Sequence, residues 1–328
     1  MKNCYVLLIS MVLTFSARAS LPLYETFNTS ESTNAWTFSE GAEAIIQSNV
    51  FFEGSALQLN SGAMARGVSN NSVSIWVRFH ARITDAPKSD PEVSNSNTSV
   101  AFFINSDRKL VVYDSTNATI TNIQLETNDW INFDIYCDYQ ANQWMMTVTT
   151  NNGTATATNT GWLALYSTGS QLESLLIANN GSSSVYFDEL QINNTEPTNS
   201  VVARIDTNGN DIPDWWEKHY FGNAGVTNIL DKARNGIMNL RDAYIAGIDP
   251  TNPDDALRIN KMGLTGRKLG WERKPGRVYD VYYAENLITG FGSSPIRTFD
   301  GEIAEFEDDE TNRIQRPSGY YKIHVRRP

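Results

Sequence analysis

Residues 73–83 read VSIWVRFHARI, the most regular stretch of the chain. Every odd-numbered position from Val73 to Ile83 is apolar, whereas four of the five even-numbered positions are polar or charged. Successive side chains of a β-strand point to opposite faces, so this period of two predicts a strand. One face belongs to a hydrophobic core, and the other is accessible or covered by a second layer. The even-numbered side chains are Ser74, Trp76, Arg78, His80 and Arg82.

The same pattern of alternating apolar and polar residues extends from residue 21 to residue 192, where short alternating runs are separated by clusters of Asn, Ser, Thr and Gly. Two hairpins are predicted, one over 100–113 with its turn at 105–108 and one over 130–150 with its turn near 140–142. In the run 185–192 the alternation slips by one residue at Asp188, which predicts a β-bulge. A long series of such strands without helical periods indicates a mainly β, antiparallel β-sandwich.

Three segments of this region carry a resemblance to a known fold family. They are LYETF at 23–27, the hairpin that starts at Trp130 and runs to Val148, and VYFDEL at 185–190. In this order they resemble the laminin-G-like or concanavalin A-like domains. The resemblance implies a jelly-roll sandwich over residues 20–197.

The N-terminus has the pattern of a signal peptide over residues 1–19. Lys2 is followed by an uncharged apolar run over 4–15 and by the small-x-small sequence at 17–19. The apolar run is shorter than the ~20 residues that a transmembrane helix needs, and no comparable run follows. We therefore expect a secreted protein, extracellular or on the cell surface, whose mature chain begins near Ser20 and has no membrane span.

Cysteine usage excludes an intrachain disulfide in the mature protein. Of the two cysteines, Cys4 lies in the predicted signal peptide and Cys137 remains alone. Cys137 alternates with the apolar Phe133 and Ile135, which predicts an inert thiol buried on a strand.

The charge distribution argues against a nucleic-acid partner. The chain carries 26 Lys and Arg against 37 Asp and Glu, a net charge of −11, and most of the acidic excess lies in residues 20–197. An acidic surface repels the phosphate backbone. After a linker at 196–200 the composition changes, which indicates two further regions, 198–256 with short helices and 257–328 with renewed β alternation.

Residues 206–217 read DTNGNDIPDWWE and predict a calcium-binding loop. Oxygen-bearing side chains stand at positions 1, 3, 5, 9 and 12, and the carbonyl of Ile212 stands at position 7, the spacing with which twelve-residue loops surround Ca²⁺. Position 6, usually glycine, is Asp211, a residue type that tolerates the left-handed conformation. An alternative is a plain Asn/Asp-rich turn that caps a helix. The predicted side-chain ligands are Asp206, Asn208, Asn210, Asp214 and Glu217.

A second, weaker loop follows over residues 231–242. Position 3 is Ala233, which offers no side-chain ligand, and Arg234 adds a cation beside the site. The alternative is a turn that leads into a helix over 238–246. The candidate ligands are Asp231, Asn235, Asn239 and Asp242.

The two loops, with PDWWE at 213–217, resemble the thrombospondin type 3 or dockerin-like (EF-hand-like) calcium module found near the C-terminus of large exported bacterial proteins. The resemblance implies a calcium-stabilised, non-catalytic module over residues 198–256. Residues 257–328 are similar to the small β module that follows such loops, to which no function is attached.

Candidate catalytic groups are few. Concanavalin A-like glycoside hydrolases need two carboxylates across a cleft, and neither the pair Asp134 and Asp138 nor the adjacent Asp188 and Glu189 resembles their catalytic strand. The three histidines lie one in each region, which argues against a zinc cluster or a Ser-His-Asp arrangement. A divergent polysaccharide-degrading enzyme is therefore the least favoured function.

The polar face of residues 73–83 offers the best candidate ligand site. Trp76 shares it with Arg78 and His80, and sugar sites combine aromatic surfaces with hydrogen-bonding groups, although a tryptophan can equally belong to a core. We expect a non-catalytic binding protein for an extracellular polysaccharide or cell-surface glycan. The alternative is an architectural or adhesion protein without a small-molecule site.

Overall fold

The computed structural model describes residues 5–9, 18–86, 98–150, 156–179, 183–225, 228–262, 268–300, 305–316 and 318–328. The chain divides into two compact units, Met1–Arg204 and Ile205–Pro328. The regions predicted over 198–256 and 257–328 lie mostly together in the second unit. Of the predicted signal peptide, the structure describes the backbone of Tyr5–Ile9 and residues 18–19, and the remainder is outside the described residues.

In its described residues, the first unit consists of β-strands and two short 3-10 turns, at Ser30–Thr33 and Val202–Arg204. Its strands are β1 (Tyr5–Ile9), β2 (Ala19–Ser20), β3 (Leu23–Glu25), β4 (Thr37–Phe38), β5 (Glu43–Gln47), β6 (Ala56–Ser69), β7 (Ser74–Ile83), β8 (Val100–Ile104), β9 (Lys109–Asp114), β10 (Asn117–Gln124), β11 (Ile131–Asp138), β12 (Gln143–Thr150), β13 (Thr156–Asn159), β14 (Leu163–Ala164), β15 (Ser174–Asn179) and β16 (Val185–Asn193).

These strands form a mainly β, antiparallel sandwich whose two sheets are joined by the long strand β6. The first sheet has the order β10-β9-β8-β1-β15-β6 and the second the order β6-β16-β7-β11-β12-β13. Phe102 of the first sheet packs on Phe133 of the second with ring centroids 5.8 Å apart, and Phe79 stacks on Phe133 at 5.0 Å. The core therefore lies between the sheets, and the predicted fold class is confirmed.

Several local predictions are confirmed in the sandwich. The odd-numbered residues of β7, such as Val77, lie in the core, and both predicted hairpins form as β8–β9 and β11–β12. The register between β16 and β7 shifts after Asp188, and Glu189 has a φ of 50°, so the bulge is present. Cys137 is fully buried, and burial raises the pKa of its thiol far above its usual range.

Where the structure describes it, the second unit combines three short helices with two small antiparallel sheets, of order β17-β18-β21 and β20-β19-β22. Helix α1 ends at Gly222 and α2 at Gly247, both in the left-handed conformation that glycine adopts without strain. Within the described part of the chain, no helix has the length and apolar character to cross a membrane. The elements are α1 (Asp214–Phe221), α2 (Leu240–Ala246), β17 (Ile259–Met262), β18 (Lys268–Trp271), β19 (Val278–Ala284), β20 (Arg297–Phe299), β21 (Glu305–Glu307), α3 (Thr311–Ile314) and β22 (Tyr320–Arg326).

Candidate functional site

A hollow of about 160 Å³ lies on the outer face of the second sheet, over β7, β11 and β12. Three of its polar side chains form one row across these strands, because Thr149 is the register partner of Asn132 and Asn132 is the partner of His80. Neighbouring strands are about 4.8 Å apart, so the row presents hydrogen-bonding groups at regular intervals. The lining residues are Phe52, Arg78, His80, Trp130, Asn132, Thr149 and Val201.

Aromatic rings flank this row. Phe52 stacks on the imidazole of His80 with centroids 3.7 Å apart and an interplanar angle of 12°, and Trp130 approaches Phe52 edge-on at 6.1 Å. Phe52 is 40% exposed. Its loop is held by Asp188, whose Oδ2 accepts hydrogen bonds from the backbone N–H groups of Phe52 and Glu53, both at 2.9 Å. The loop therefore presents an apolar ring at the edge of the hollow.

Arg78 and Asn132 are joined within the site. The Nε of Arg78 donates to Oδ1 of Asn132 at 2.9 Å. This bond orients the plane of the guanidinium through one of its five N–H donors.

Two polar atoms of the row lack partners among the described residues. The Nδ1 of His80 and the Oγ1 of Thr149 are buried and accept or donate no hydrogen bond there. Buried polar groups are ordinarily satisfied by protein, water or ligand. Because burial, with a contribution from the charge of Arg78, lowers the pKa of His80 to about 4, the imidazole is neutral at physiological pH and offers one donor and one acceptor.

One wall of the hollow comes from the segment that ends the first unit. Val201 lines the site, and residues 200–202 are bound to the buried carboxylate of Asp134 on β11. The end of the predicted linker at 196–200 is thus packed against the sheet, since Ser200 is fully buried, whereas Thr198 and Asn199 are exposed.

The structure brings Arg78 and His80 together as predicted but places Trp76 elsewhere. Trp76 is on the same face of β7, yet it is only 3% exposed and packs on Tyr136 with centroids 5.1 Å apart. Trp76 therefore corresponds to the alternative of a core tryptophan, and one of its neighbours is Tyr136, its register partner on β11. Trp130 and Phe52 supply the accessible rings instead.

Three of the four carboxylates considered for catalysis accept hydrogen bonds from their own chain. Asp134 binds residues 200–202, Asp138 accepts from the backbone of Ala141 at 2.9 Å, and Asp188 holds the Phe52 loop. None of the three lines the hollow.

The loop 206–217 folds around Asp206. The carboxylate of Asp206 accepts hydrogen bonds from the backbone of Gly209 at 2.8 Å, Asn210 at 3.2 Å and Asp211 at 2.8 Å. Asp211 has a φ of 66°, so it takes the left-handed conformation expected for position 6. The turn is thereby closed by the side chain that stands at position 1.

The two predicted asparagine ligands converge on Glu217, which is fully buried. The amide nitrogen of Asn210 donates to its Oε1 at 2.8 Å, and that of Asn208 lies 3.4 Å from both of its oxygens. Asp214 accepts from Thr207, and its pKa is raised mainly by burial, with a further increase from the charges of Glu217 and Asp206. Three carboxylates and two amides are thus close enough to interact electrostatically.

This donor set fits a hard cation in its chemistry. All five side chains carry oxygens, and rotation of the two amides would turn their oxygens toward Glu217, an arrangement that a cation stabilises. Among the described residues, however, no three or more acidic, histidine or cysteine side chains are gathered as a metal-binding group. Two of the five predicted side-chain ligands, Asn208 and Asn210, are asparagines. Their amide oxygens can bind Ca²⁺, but they are not acidic, histidine or cysteine side chains.

The second loop uses its side chains differently. Asn239 caps helix α2, its Oδ1 accepting from the backbone of Asp242 at 2.7 Å, and Asn235 donates to the carbonyl of Asp255 at 2.7 Å. Asp231 accepts from the amide of Asn228 at 2.8 Å. These bonds correspond to the turn-and-cap alternative for residues 231–242.

No protein-family model and no curated protein matches the sequence. Among solved structures, a sialidase is similar over 55% of this chain and 19% of its own, with 12% identity and a TM-score of 0.41. The binding domain of botulinum neurotoxin serotype G matches over 50% and 44%, with 12% identity and a TM-score of 0.30. A Lotus tetragonolobus seed lectin matches over 52% and 97%, with 9% identity and a TM-score of 0.32. With TM-scores below 0.5, these similarities support no inference about function.

Proposed function

We propose that the sandwich unit is a non-catalytic carbohydrate-binding module that takes up a sugar in the hollow over β7, β11 and β12. One observation carries the proposal: His80 and Thr149 both line a hollow flanked by Phe52 and Trp130, and each has a buried polar atom, Nδ1 and Oγ1, without a partner among the described residues. Sugar hydroxyls both donate and accept hydrogen bonds, so they complement a neutral imidazole and a threonine hydroxyl. The apolar face of a sugar ring fits an aromatic side chain.

The test compares two adjacent phenylalanines. Phe51 and Phe52 are 43% and 40% exposed, but only Phe52 lines the hollow. The full-length protein is screened on an array of plant, algal and microbial polysaccharides, and the best ligand is titrated by calorimetry. Phe52→Ala should weaken binding at least tenfold, whereas Phe51→Ala should change it less than twofold. Absence of binding to any polysaccharide, or equal effects of the two variants, would refute the proposal.

We also propose that residues 206–217 bind one Ca²⁺, with Asp206, Asn208, Asn210, Asp214, Glu217 and the carbonyl of Ile212 as ligands. The convergence of the two amides on Glu217 supports this assignment. The ion would neutralise the carboxylates and stabilise the turn that precedes α1. Its role is structural.

The third proposal concerns location. The charge, the short apolar run and the small-residue site of residues 1–19 support export and removal of this segment. A glycan-binding sandwich and a loop for a cation abundant outside cells are compatible with a secreted or cell-surface protein.

A further inference from the structure

Strand β1 lies inside the first sheet, between β8 and β15. Its backbone pairs with both neighbours along all five residues, and Leu7, for example, is the register partner of Phe102 on one side and Ile177 on the other. Both pairings are antiparallel, so β8 and β15 run in the same direction. Two strand spacings separate them, about 9 to 10 Å.

The two neighbours are apolar on both faces. On β8, Phe102 belongs to the core between the sheets, whereas Phe103 belongs to a second apolar cluster on the outer face of the sheet. On β15, Ile177 and Ala178 are divided in the same way. A position between two such strands suits a segment with a continuous apolar sequence rather than an alternating one, and the sequence of residues 5–9, YVLLI, is of this kind.

Removal of residues 1–19, which the proposed export entails, takes this strand away. What remains is a slot bordered by the backbone donors and acceptors of β8 and β15. Beside it lies an apolar cavity of about 40 Å³, lined by residues of both sheets that include Ile104, Ala178 and Phe187.

The slot cannot close without loss of packing elsewhere. Phe102 holds β8 to the second sheet through ring contacts with Phe133 at 5.8 Å and Trp144 at 6.3 Å. β15 is held by its pairing with β6 over six residues. Direct pairing of β8 with β15 would need a sideways shift of one strand spacing, about 4.8 Å, and would break one of these two attachments.

We propose that the mature protein accepts an extended, continuously apolar segment of another polypeptide as an antiparallel strand between β8 and β15. Main-chain hydrogen bonds on both sides supply affinity, and the apolar residues on the two faces supply specificity, as in other cases of β-strand addition. The segment spans at least five residues, the length over which β1 is paired. A second copy of the mature chain has no free segment of this kind among its described residues, because its apolar runs are already strands of the sandwich.

The test uses the full-length gene expressed in an exporting host that lacks the native partner. Mass spectrometry of the exported protein determines its N-terminus, and fluorescence anisotropy follows binding of a labelled peptide with YVLLI between lysine pairs. The control peptide has proline at the central position, which removes a ladder donor. We expect an N-terminus at Ser20, binding of the first peptide with a higher Tm, and at least tenfold weaker binding of the proline peptide.

Two results would overturn the proposal. In one, the exported protein retains residues 5–9 and so fills its own slot. In the other, it begins at Ser20, melts cooperatively and binds neither peptide, which means that the sheet closes without an added strand. The same sample is also titrated with the best polysaccharide, which tests sugar binding in the hollow separately from strand addition. The two results are independent because no lining residue of the hollow belongs to β8 or β15.

Discussion

The hydroxyl of Ser200 lies 3.0 Å from both carboxylate oxygens of Asp134, a residue 66 positions earlier in the chain. The backbone N–H groups of Val201 and Val202 donate to the same carboxylate, which is fully buried on β11. A single side chain thus fixes the end of the first unit to the sheet and sets the position of Val201 in the hollow.

The first prediction concerns the pH dependence that Asp134 confers. Burial raises its pKa more than the bonds from Ser200, Val201 and Val202 lower it. The folded state therefore binds this proton more tightly than the unfolded state, and the contribution of Asp134 to stability falls as pH rises from about 4 through the folded pKa. Urea unfolding at pH 4, 6 and 8 should show wild type losing stability relative to Asp134→Asn as pH rises. A difference that is constant with pH would contradict this.

His80 should confer the opposite dependence. Its pKa of about 4 in the folded state is below the usual 6.5, so the unfolded state binds more protons between these values and stability falls as pH drops through this window. The full effect is at most about 3 kcal/mol at pH 4. His80→Gln, which keeps a polar side chain, should reduce the loss of unfolding free energy between pH 7 and pH 4. An unchanged loss would show that the histidine is not held neutral.

A third prediction tests the guanidinium in the hollow. Arg78→Lys keeps the charge but loses the planar donor that binds Asn132, so polysaccharide affinity should fall about tenfold, or about 1.4 kcal/mol. Arg82→Lys is the matched control, since Arg82 lies on the same face of β7 but does not line the hollow. Calorimetric titration of both variants measures the difference. Similar losses in the two variants would mean that the bond between Arg78 and Asn132 makes no specific contribution to binding.

The alternation of residues 73–83 was sufficient to predict which side chains share a face, and Arg78 and His80 are accordingly together. It could not predict what covers that face. Trp76 is buried and packs on Tyr136 of β11, a contact that depends on tertiary packing rather than on local period. For the same reason, the alternation identified β7 as a strand of the site but could not show that its accessible rings are Phe52 and Trp130.

Phe52 illustrates a second limit. It lies in a loop without periodicity, and its position depends on Asp188, which follows it by 136 residues. Asn132 had a local signal, since it shares a strand face with Asp134, but its role depends on the partner that Arg78 provides across the sheet. Contacts of this range cannot be obtained from one sequence, whereas the spacing of oxygen ligands in residues 206–217 is entirely local.

That local spacing leads to the last prediction, which concerns calcium. If Ca²⁺ binds the folded loop, saturation at one hundred times the dissociation constant stabilises the native state by about 2.7 kcal/mol, because the unfolded chain lacks the site. The Tm of the second unit should therefore rise by several degrees when calcium replaces chelator.

Asp206→Ala should abolish this rise, since Asp206 both supplies position 1 and closes the turn through Gly209, Asn210 and Asp211. Asp242→Ala, in the weaker loop, should retain it because Asp242 is exposed and its backbone is bound by the cap Asn239. Loss of the rise in both variants would place the ion across the two loops, and no rise in wild type would leave residues 206–217 as a hydrogen-bonded turn before α1.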